Sequence, residues 1–252
     1  MSGLFDRPFL LLAVLLPGVW VSAWIGAKIG ARRSREEKTD QDYAFVLGGT
    51  LTLLGLLIGF SFSMAVGRYD QRKNLEEQEA NAIGTEYVRV DLLPAGDAGR
   101  LRELLRDYLD QRMLFYTSRD ALQLHQVDAR TTRLQADLWS VVARHASEQP
   151  TPVAALLAAG MNDVLNSQGY AQAAWRNRIP VEAWGLLIVI AVFCNVAIGY
   201  GAHPRSRSVL WMLPIALSVT LFLIADIDAP RSGMIRVRPI NLESVAETLR
   251  PS

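Results

Sequence analysis

Residues 43–67, with the sequence YAFVLGGTLTLLGLLIGFSFSMAVG, form a run of 25 residues without a single charged side chain. A helix needs about 20 apolar residues to cross the hydrocarbon core of a bilayer, which is about 30 Å thick. Comparable uncharged runs occur at 8–27, 183–202 and 208–225. The chain is therefore predicted to be a polytopic membrane protein with an all-α fold. Its four transmembrane helices are predicted at about 8–30, 43–67, 183–202 and 208–226.

The overall composition agrees with a membrane protein and excludes several other classes. Of the 252 residues, 50% are hydrophobic although 20% are charged, which requires the apolar residues to be concentrated in runs. The net charge of +1 gives no basic surface for nucleic acid, so no nucleic-acid partner is expected. Cys194 is the only cysteine, and three scattered histidines do not make a structural zinc site with it. No metal and no cofactor are expected.

The polar stretch between the second and third apolar runs is predicted to be a helical extramembrane domain. Apolar residues recur there at spacings of three and four, as in Leu101, Leu104, Leu105 and Tyr108. Such stripes usually form the core of a helical bundle. Breaks are expected at the prolines of 94–96 and 150–152. The predicted organisation is a transmembrane hairpin at 1–67, the helical domain at 68–181, a second transmembrane hairpin at 182–228 and a C-terminal tail at 229–252.

The second transmembrane helix is predicted to continue into the polar domain. No proline interrupts residues 61–93, so nothing in this segment ends the helix at the membrane surface. The charged residues Glu76, Glu77 and Glu79 on this continuation are interpreted as a solvated helix face.

Glycine residues indicate close helix packing in two of the spans. Gly26 and Gly30 end the first span with a GxxxG spacing, and Gly48, Gly49, Gly55 and Gly59 line the second. Small residues of this kind allow membrane helices to approach closely. Packing within one subunit and packing between subunits explain the pattern equally well.

Enzyme signatures are not found, so an enzyme is not expected. The sequence contains no Walker A motif, no GxGxxG, no HExxH and no GxSxG. Asp226 and Asp228 at the end of the fourth span are functional candidates, because carboxylates at membrane boundaries often are. The structural alternative is that they pair with Arg231 or cap a turn before Pro230.

Two segments of the sequence resemble the bestrophin channel family. Residues 59–75, GFSFSMAVGRYDQRKNL, carry a Gly-Phe pair, then an arginine with an aromatic neighbour, then a charged stretch ending in leucine. Residues 228–237, DAPRSGMIRV, are similar to a signature of uncharacterised bacterial four-span proteins classed as bestrophin-like, in which Asp228, Pro230 and Gly233 are motif positions. The resemblance extends through Glu79-Ala80 to Leu93-Pro94 and covers both membrane hairpins.

The resemblance implies a pore at the centre of a homo-oligomer, a pentamer if the assembly is that of the bestrophins. Its hydrophobic neck would be lined by Thr52, Leu56 and Phe60, whose spacing of four places them on one helix face. Thr52 departs from the apolar pattern of the family. Arg68 would add positive charge just past the neck, with Asp70 close by. The acidic calcium site of the animal channels has no counterpart in this sequence.

The resemblance also implies a bacterial cytoplasmic (inner) membrane, with the central domain and both termini in the cytoplasm. The charges flanking the first helix alone would instead place its C-terminal end in the cytoplasm. Counted over all membrane ends, positive charges number nine on the side of the termini and seven on the side of the two short loops, which slightly favours the orientation that the resemblance implies. The charge rule therefore leaves both orientations open.

Two functions of different classes follow from these observations. The first is a bestrophin-like oligomeric pore that passes small inorganic ions through the neck on the second transmembrane helix, with the lipid bilayer as its surroundings. The second is a non-conducting, membrane-anchored helical scaffold or sensor. The two differ in whether the glycine-rich face of the second span packs on helices of its own subunit.

Overall fold

The computed structural model describes residues 7–31, 37–202 and 209–249. Within these ranges the chain forms eight α-helices and one short 3₁₀ turn, Val90–Leu92, and no strand. The helices are α1 (Pro8–Gly30), α2 (Glu37–Arg89), α3 (Ala95–Thr117), α4 (Ala121–Glu148), α5 (Pro152–Arg176), α6 (Val181–Gly201), α7 (Val209–Asp228) and α8 (Ile240–Leu249).

Four helical segments are long and apolar enough to cross a membrane, and their apolar parts lie in α1, α2, α6 and α7. The prediction of an all-helical protein with four transmembrane helices is therefore confirmed. The basic residues of the two short loops, at 32–36 and 203–208, lie outside the described residues. The charge count that supported the orientation is not tested for that reason.

Prolines and capping side chains set the ends of the helices at the predicted breaks. Pro94 and Pro180 immediately precede α3 and α6, and Pro152 is the first residue of α5. Proline is favoured at a helix start because its missing N–H would have no partner there. The Thr151 hydroxyl accepts a hydrogen bond from the Ala154 N–H at 3.2 Å, which satisfies one of the unpaired donors of α5.

The chain divides into two compact units, and helix α2 contributes residues to both. The first unit comprises residues 1–68 and 178–236, and the second comprises 69–177 and 237–252. In the first unit, α1 packs against α6 and α7. A β-carbon at Gly26 would overlap the carbonyl of Val196, and one at Gly199 would overlap the carbonyl of Ala23. Glycine therefore lets the backbones of α1 and α6 come into direct contact.

The second unit has a hydrophobic core built from the predicted amphipathic stripes. Leu101, Leu105 and Tyr108 of α3 are completely buried, as is Leu138 of α4. Met161 and Val164 of α5 complete this layer of the core. The C-terminal tail adds α8, whose Leu242, Ala246 and Leu249 belong to the same core. The interpretation of the stripes as the interior of a helical bundle is thus confirmed.

The contact between α1 and α6 predicts a sharp difference between two glycines of α1. Gly26→Ala inserts a methyl group against the Val196 carbonyl, whereas a β-carbon at Gly18 meets no described atom within 4 Å. Overpacking of this kind costs about 1–3 kcal/mol. We expect Gly26→Ala to lower the thermal unfolding midpoint of the detergent-solubilised protein and Gly18→Ala to leave it nearly unchanged. Equal midpoints for the two variants would contradict the direct backbone contact.

Candidate functional site

The apolar part of α2 has one packed face and one open face. Leu54 and Ala65 are almost completely buried, at 2% and 0% exposure, whereas Leu56 and Phe60 are 53% and 62% exposed. Positions 47, 50, 54, 58, 61 and 65 share the packed side, since they are three or four residues apart. The open face lies on the opposite side of the helix.

Glycines of the second span lie on or beside the open face and do not pack on other described residues of the chain. A β-carbon at Gly48, Gly49, Gly55 or Gly59 would meet no described atom within 4 Å. In α1 and α6, by contrast, Gly26 lies against the Val196 carbonyl and Gly199 lies against the Ala23 carbonyl. The predicted packing role of the α2 glycines is therefore not fulfilled inside the single chain. It stays a prediction about contacts with another subunit.

The three predicted neck residues all lie on the open face. Thr52, Leu56 and Phe60 are each exposed, and the four-residue spacing places them on successive turns of α2. The Thr52 hydroxyl donates a hydrogen bond to the Gly48 carbonyl at 2.9 Å. Because this bond satisfies the hydroxyl within the helix, Thr52 offers less polarity to its surroundings than its type suggests.

Polar contacts with α6 hold the packed face of α2. The Tyr43 hydroxyl donates a hydrogen bond to the carbonyl of Ala197, and the Tyr43 ring lies 5.5 Å from that of Tyr200. The Cys194 thiol approaches the Thr50 carbonyl at 3.8 Å, so the only cysteine of the chain has a packing role at this contact. These contacts fix which side of α2 remains open.

Arg68 lies on the packed side of α2 and not on the open face with the neck residues. Its guanidinium nitrogen is 3.5 Å from a carboxylate oxygen of Asp228, and their side chains are only 16% and 7% exposed. Removing one partner of such a partly buried ion pair is costly, because the other charge is left without a partner. The predicted role of Arg68 at a pore mouth stays a prediction, and the ion pair with Asp228 is a structural role that the sequence did not indicate.

Asp228 joins three segments of the first unit. In addition to its ion pair with Arg68, its two carboxylate oxygens accept hydrogen bonds from the backbone N–H of Ile179, at 3.1 and 3.3 Å. Burial lowers the pKa of the neighbouring Arg178, and the negative charge of Asp228 opposes that shift. The carboxylate therefore ties the end of α7 to α2 and to the segment before α6.

Asp226 organises the turn that follows α7. Its two carboxylate oxygens accept hydrogen bonds from the N–H groups of Met234 and Ile235 at 2.7 and 2.9 Å. A β-carbon at Gly233 would overlap the Asp226 carbonyl, so the turn closes only with glycine at that position. Pro230 stands just after the end of α7, where proline commonly follows a helix. The motif of Asp228, Pro230 and Gly233 thus has a structural explanation.

The glutamates on the polar part of α2 correct the sequence interpretation. Glu77 is exposed, but Glu76 and Glu79 are 1% and 0% exposed rather than solvated. Glu76 accepts hydrogen bonds from the N–H groups of Asn241 and Leu242, both at 3.0 Å, and so caps α8. Burial raises the pKa of Glu76, and these hydrogen bonds oppose the shift.

Glu79 forms a buried ion pair with Arg112 of α3. Both carboxylate oxygens contact the guanidinium, and the Tyr116 hydroxyl donates to the same carboxylate at 2.9 Å. Burial alone would lower the pKa of Arg112, but the charge of Glu79 raises it overall. Arg112 is therefore held in its charged form. A sequence pattern cannot show this pair, because its members are 33 residues apart.

Glu86 is a buried carboxylate with an incomplete set of partners. It is 0% exposed, its nearer oxygen is 3.5 Å from the Arg89 guanidinium, and its other oxygen accepts no hydrogen bond among the described residues. A β-carbon at Gly160 of α5 would overlap the Glu86 carboxylate and the Arg89 guanidinium, so this glycine makes room for them. Burial raises the pKa of Glu86 to about 7, while Arg89 lowers it and Asp163 raises it further.

The described part of the chain shows no cluster of candidate metal ligands. No group of three or more His, Cys, Asp or Glu side chains there is arranged to hold a metal ion. The buried acidic residues described above are engaged by backbone N–H groups, arginines or a tyrosine. The open face of α2 has no partner among the described residues of the chain.

Four apolar helical spans and a helical unit of polar sequence define the chain as a multi-pass α-helical membrane protein. A family model of the bestrophin-like domain matches residues 13–242. The chain belongs to the bestrophin-like family. A comparison with curated proteins finds no match.

Solved structures of a bacterial bestrophin homolog from Klebsiella pneumoniae share the fold. The homolog itself aligns with a TM-score of 0.65 and 13% identity, covering 96% of this chain and 95% of that one. One single-residue variant of it gives a TM-score of 0.66 at 11% identity, covering 93% and 97% of the two chains. A second single-residue variant of the homolog gives a TM-score of 0.61 at 14% identity, covering 96% of this chain and 95% of that one. The similarity therefore extends over nearly the full length of both chains.

Glu86 gives the second unit a specific dependence on pH. Its pKa in the folded chain is about 7, above the ordinary value of 4.5 for a glutamate, so the folded state binds an extra proton between these two values. The stability that this group contributes is present at low pH and is lost as the pH rises through about 7. Wild type should therefore gain up to about 3 kcal/mol from Glu86 on acidification from pH 8 to pH 4.5.

Glu86→Gln should remove this part of the pH dependence and stabilise the protein at pH 8. The exposed Glu77→Gln is the matched control and should leave the pH profile unchanged. Denaturant unfolding of detergent-solubilised wild type and both variants at several pH values measures these changes in stability. Identical profiles for Glu86→Gln and wild type would show that Glu86 titrates as an ordinary carboxylate.

Proposed function

We propose that the chain assembles as a homo-oligomer around the open face of α2 and forms a pore for small inorganic ions. Thr52, Leu56 and Phe60 line its hydrophobic neck. The bestrophin-like family and fold imply an ion channel in general terms. The number of subunits is five if the assembly is that of the bestrophins.

The single observation that carries the proposal is the exposure of a glycine-lined, apolar helix face. Leu56 and Phe60 are more than half exposed, although the opposite side of the same helix contains fully buried residues. The glycines beside them meet no described atom of the chain. A second copy of α2 could approach this face closely, and several copies around an axis would bring the neck residues together.

A neck of this kind provides a physical mechanism for gating. Consecutive neck residues are four apart, so their rings are about 6 Å apart along the helix axis. A narrow ring of leucine or phenylalanine side chains excludes water, and an ion cannot pass without its hydration shell. A small rotation of α2 that moves the phenyl groups away from the axis would admit water.

The alternative function is a non-conducting membrane-anchored scaffold or sensor. The observation that favours it is the length of α2, which runs unbroken for 53 residues from Glu37 to Arg89. Such a helix can transmit a displacement along its axis without any pore. In this alternative the open face of α2 contacts lipid or a different membrane protein.

The proposed location is the bacterial cytoplasmic membrane, with the central helical domain and both termini in the cytoplasm. This orientation follows the bestrophin-like family and the small excess of positive charge on the side of the termini. It leaves the short loops after α1 and after α6 on the opposite side.

Native mass measurement and current recording together test the pore. The purified protein should have the mass of an assembly of at least three subunits, with five expected. Phe60→Ala should keep that assembly, because Phe60 is 62% exposed in the single chain and its removal leaves no void there. The variant should increase the current through reconstituted bilayers several-fold, because it removes the dewetting barrier.

Phe193→Ala is the matched control, since Phe193 is a phenyl group on α6 with 58% exposure. It should leave the current at the wild-type level. A monomeric mass would exclude the pore outright. Absence of current from wild type and Phe60→Ala alike, with monovalent anions and cations, would favour the scaffold.

A further inference from the structure

An apolar groove lies between α1 and α7, away from the open face of α2. It has a volume of about 290 Å³, close to the lower limit of small-molecule pockets. It is lined by Leu16, Pro17, Trp20, Trp211, Pro214 and Ile215. The two tryptophan rings lie 4.9 Å apart at an angle of 30°, which makes a continuous aromatic wall.

The groove walls offer almost nothing to a polar ligand. Each helix contributes an internal proline, Pro17 from α1 and Pro214 from α7, and proline has no backbone N–H to donate. The proline rings are also short and rigid, so the space between Leu16 and the tryptophans is not filled by a flexible side chain. A hydrocarbon chain matches this surface.

The groove is open towards the bilayer. It lies within two transmembrane helices, and Leu16, Trp211 and Ile215 are 39%, 53% and 47% exposed. The hydrocarbon region around transmembrane helices consists of lipid acyl chains and contains no water. The chain that enters the groove is therefore one that the membrane itself supplies.

Among the described residues, the exposed Lys28 lies on α1 beyond the groove. Leu16, Trp20, Trp24 and Lys28 follow one another at intervals of four, so they form a row that winds gradually around the helix. Lys28 is eight residues past Trp20, or about 12 Å along the axis. Its ammonium nitrogen lies 3.7 Å from the centroid of the Trp24 ring.

The charge of Lys28 has no acidic neighbour on its own helix. Residues 8–30 contain no aspartate or glutamate. The contact with the Trp24 ring orients the ammonium without neutralising its charge. An ammonium at the end of a transmembrane helix lies at the level of the lipid headgroups, where phosphate oxygens are its natural partners.

We propose that α1 and α7 form a binding site for a membrane phospholipid with an anionic headgroup, with one acyl chain in the groove and the phosphate at Lys28. The polar and apolar parts of the site are arranged along α1 in the order in which a phospholipid presents them. The site is separate from the neck residues and does not depend on ion conduction.

Lipid binding by the purified protein tests the site. The oligomer in detergent is incubated with dioleoyl phosphatidylglycerol or with dioleoyl phosphatidylcholine, and native mass spectrometry counts the lipids retained per subunit. One phosphatidylglycerol per subunit should be retained about fivefold more tightly than phosphatidylcholine, the factor expected for one lysine at the headgroup. Lys28→Gln should abolish this preference.

Ile215→Trp fills the groove and should reduce the retention of both lipids. Val189→Trp places the same side chain on α6, at a position with 66% exposure, and should retain lipid as wild type does. Thermal unfolding of each variant shows whether it is folded, and Leu16→Trp serves in place of Ile215→Trp if the latter is not.

Three results would overturn the proposal. Equal retention by wild type, Lys28→Gln and Ile215→Trp would show that the lipid is ordinary surrounding lipid. Equal affinity of wild type for the two lipids would remove the headgroup contact. Absence of any retained lipid from a stable oligomer would indicate that a second copy of the chain covers the groove. None of these results depends on whether the protein conducts ions.

Discussion

A membrane-spanning helix satisfies its own backbone hydrogen bonds, so its side chains alone determine what covers each of its faces. In α2 this constraint has an unusual outcome. One side buries Leu54 and Ala65, while the other exposes Leu56, Phe60 and a series of glycines. Glycine exposes backbone and packs no side chain, so a glycine-rich face gains little from lipid and much from a neighbouring helix. The proposed assembly and neck both follow from this asymmetry.

Buried charges hold the packed side in place. Arg68 pairs with Asp228 in the first unit, and Glu79 pairs with Arg112 in the second. Removing charges from water is costly, and the cost is recovered only when the partners are well placed. Such pairs therefore favour one rotation of α2 about its axis over others.

The four spans and the helical core could be predicted because each depends on a local pattern. An uncharged run of 18 to 25 residues is sufficient to indicate a transmembrane helix, and apolar spacings of three and four indicate a buried stripe. The positions of Thr52, Leu56 and Phe60 on one face follow from helix geometry alone. Their location on the open face could not be predicted in this way, because it depends on where α6 packs.

Long-range pairing explains what could not be predicted. Glu76 and Glu79 have the composition of a solvated face, and their burial depends on partners 165 and 33 residues away. Gly26 and Gly30 of α1 have the same spacing as Gly55 and Gly59 of α2, yet only the pair in α1 contacts another described helix of the chain. The packing of Arg68 against Asp228 likewise joins two segments whose proximity exists only in the fold.

Cross-linking at Thr52 tests most directly whether the open face of α2 meets other copies of itself. Thr52→Cys is made with Cys194 replaced by Ala, and membranes are treated with a short bifunctional thiol reagent. Val189→Cys in the same background is the control, because Val189 is a 66% exposed residue of α6. The account predicts covalent dimers for Thr52→Cys and few or none for Val189→Cys. Dimers from Val189→Cys alone, or from neither variant in an intact oligomer, would contradict it.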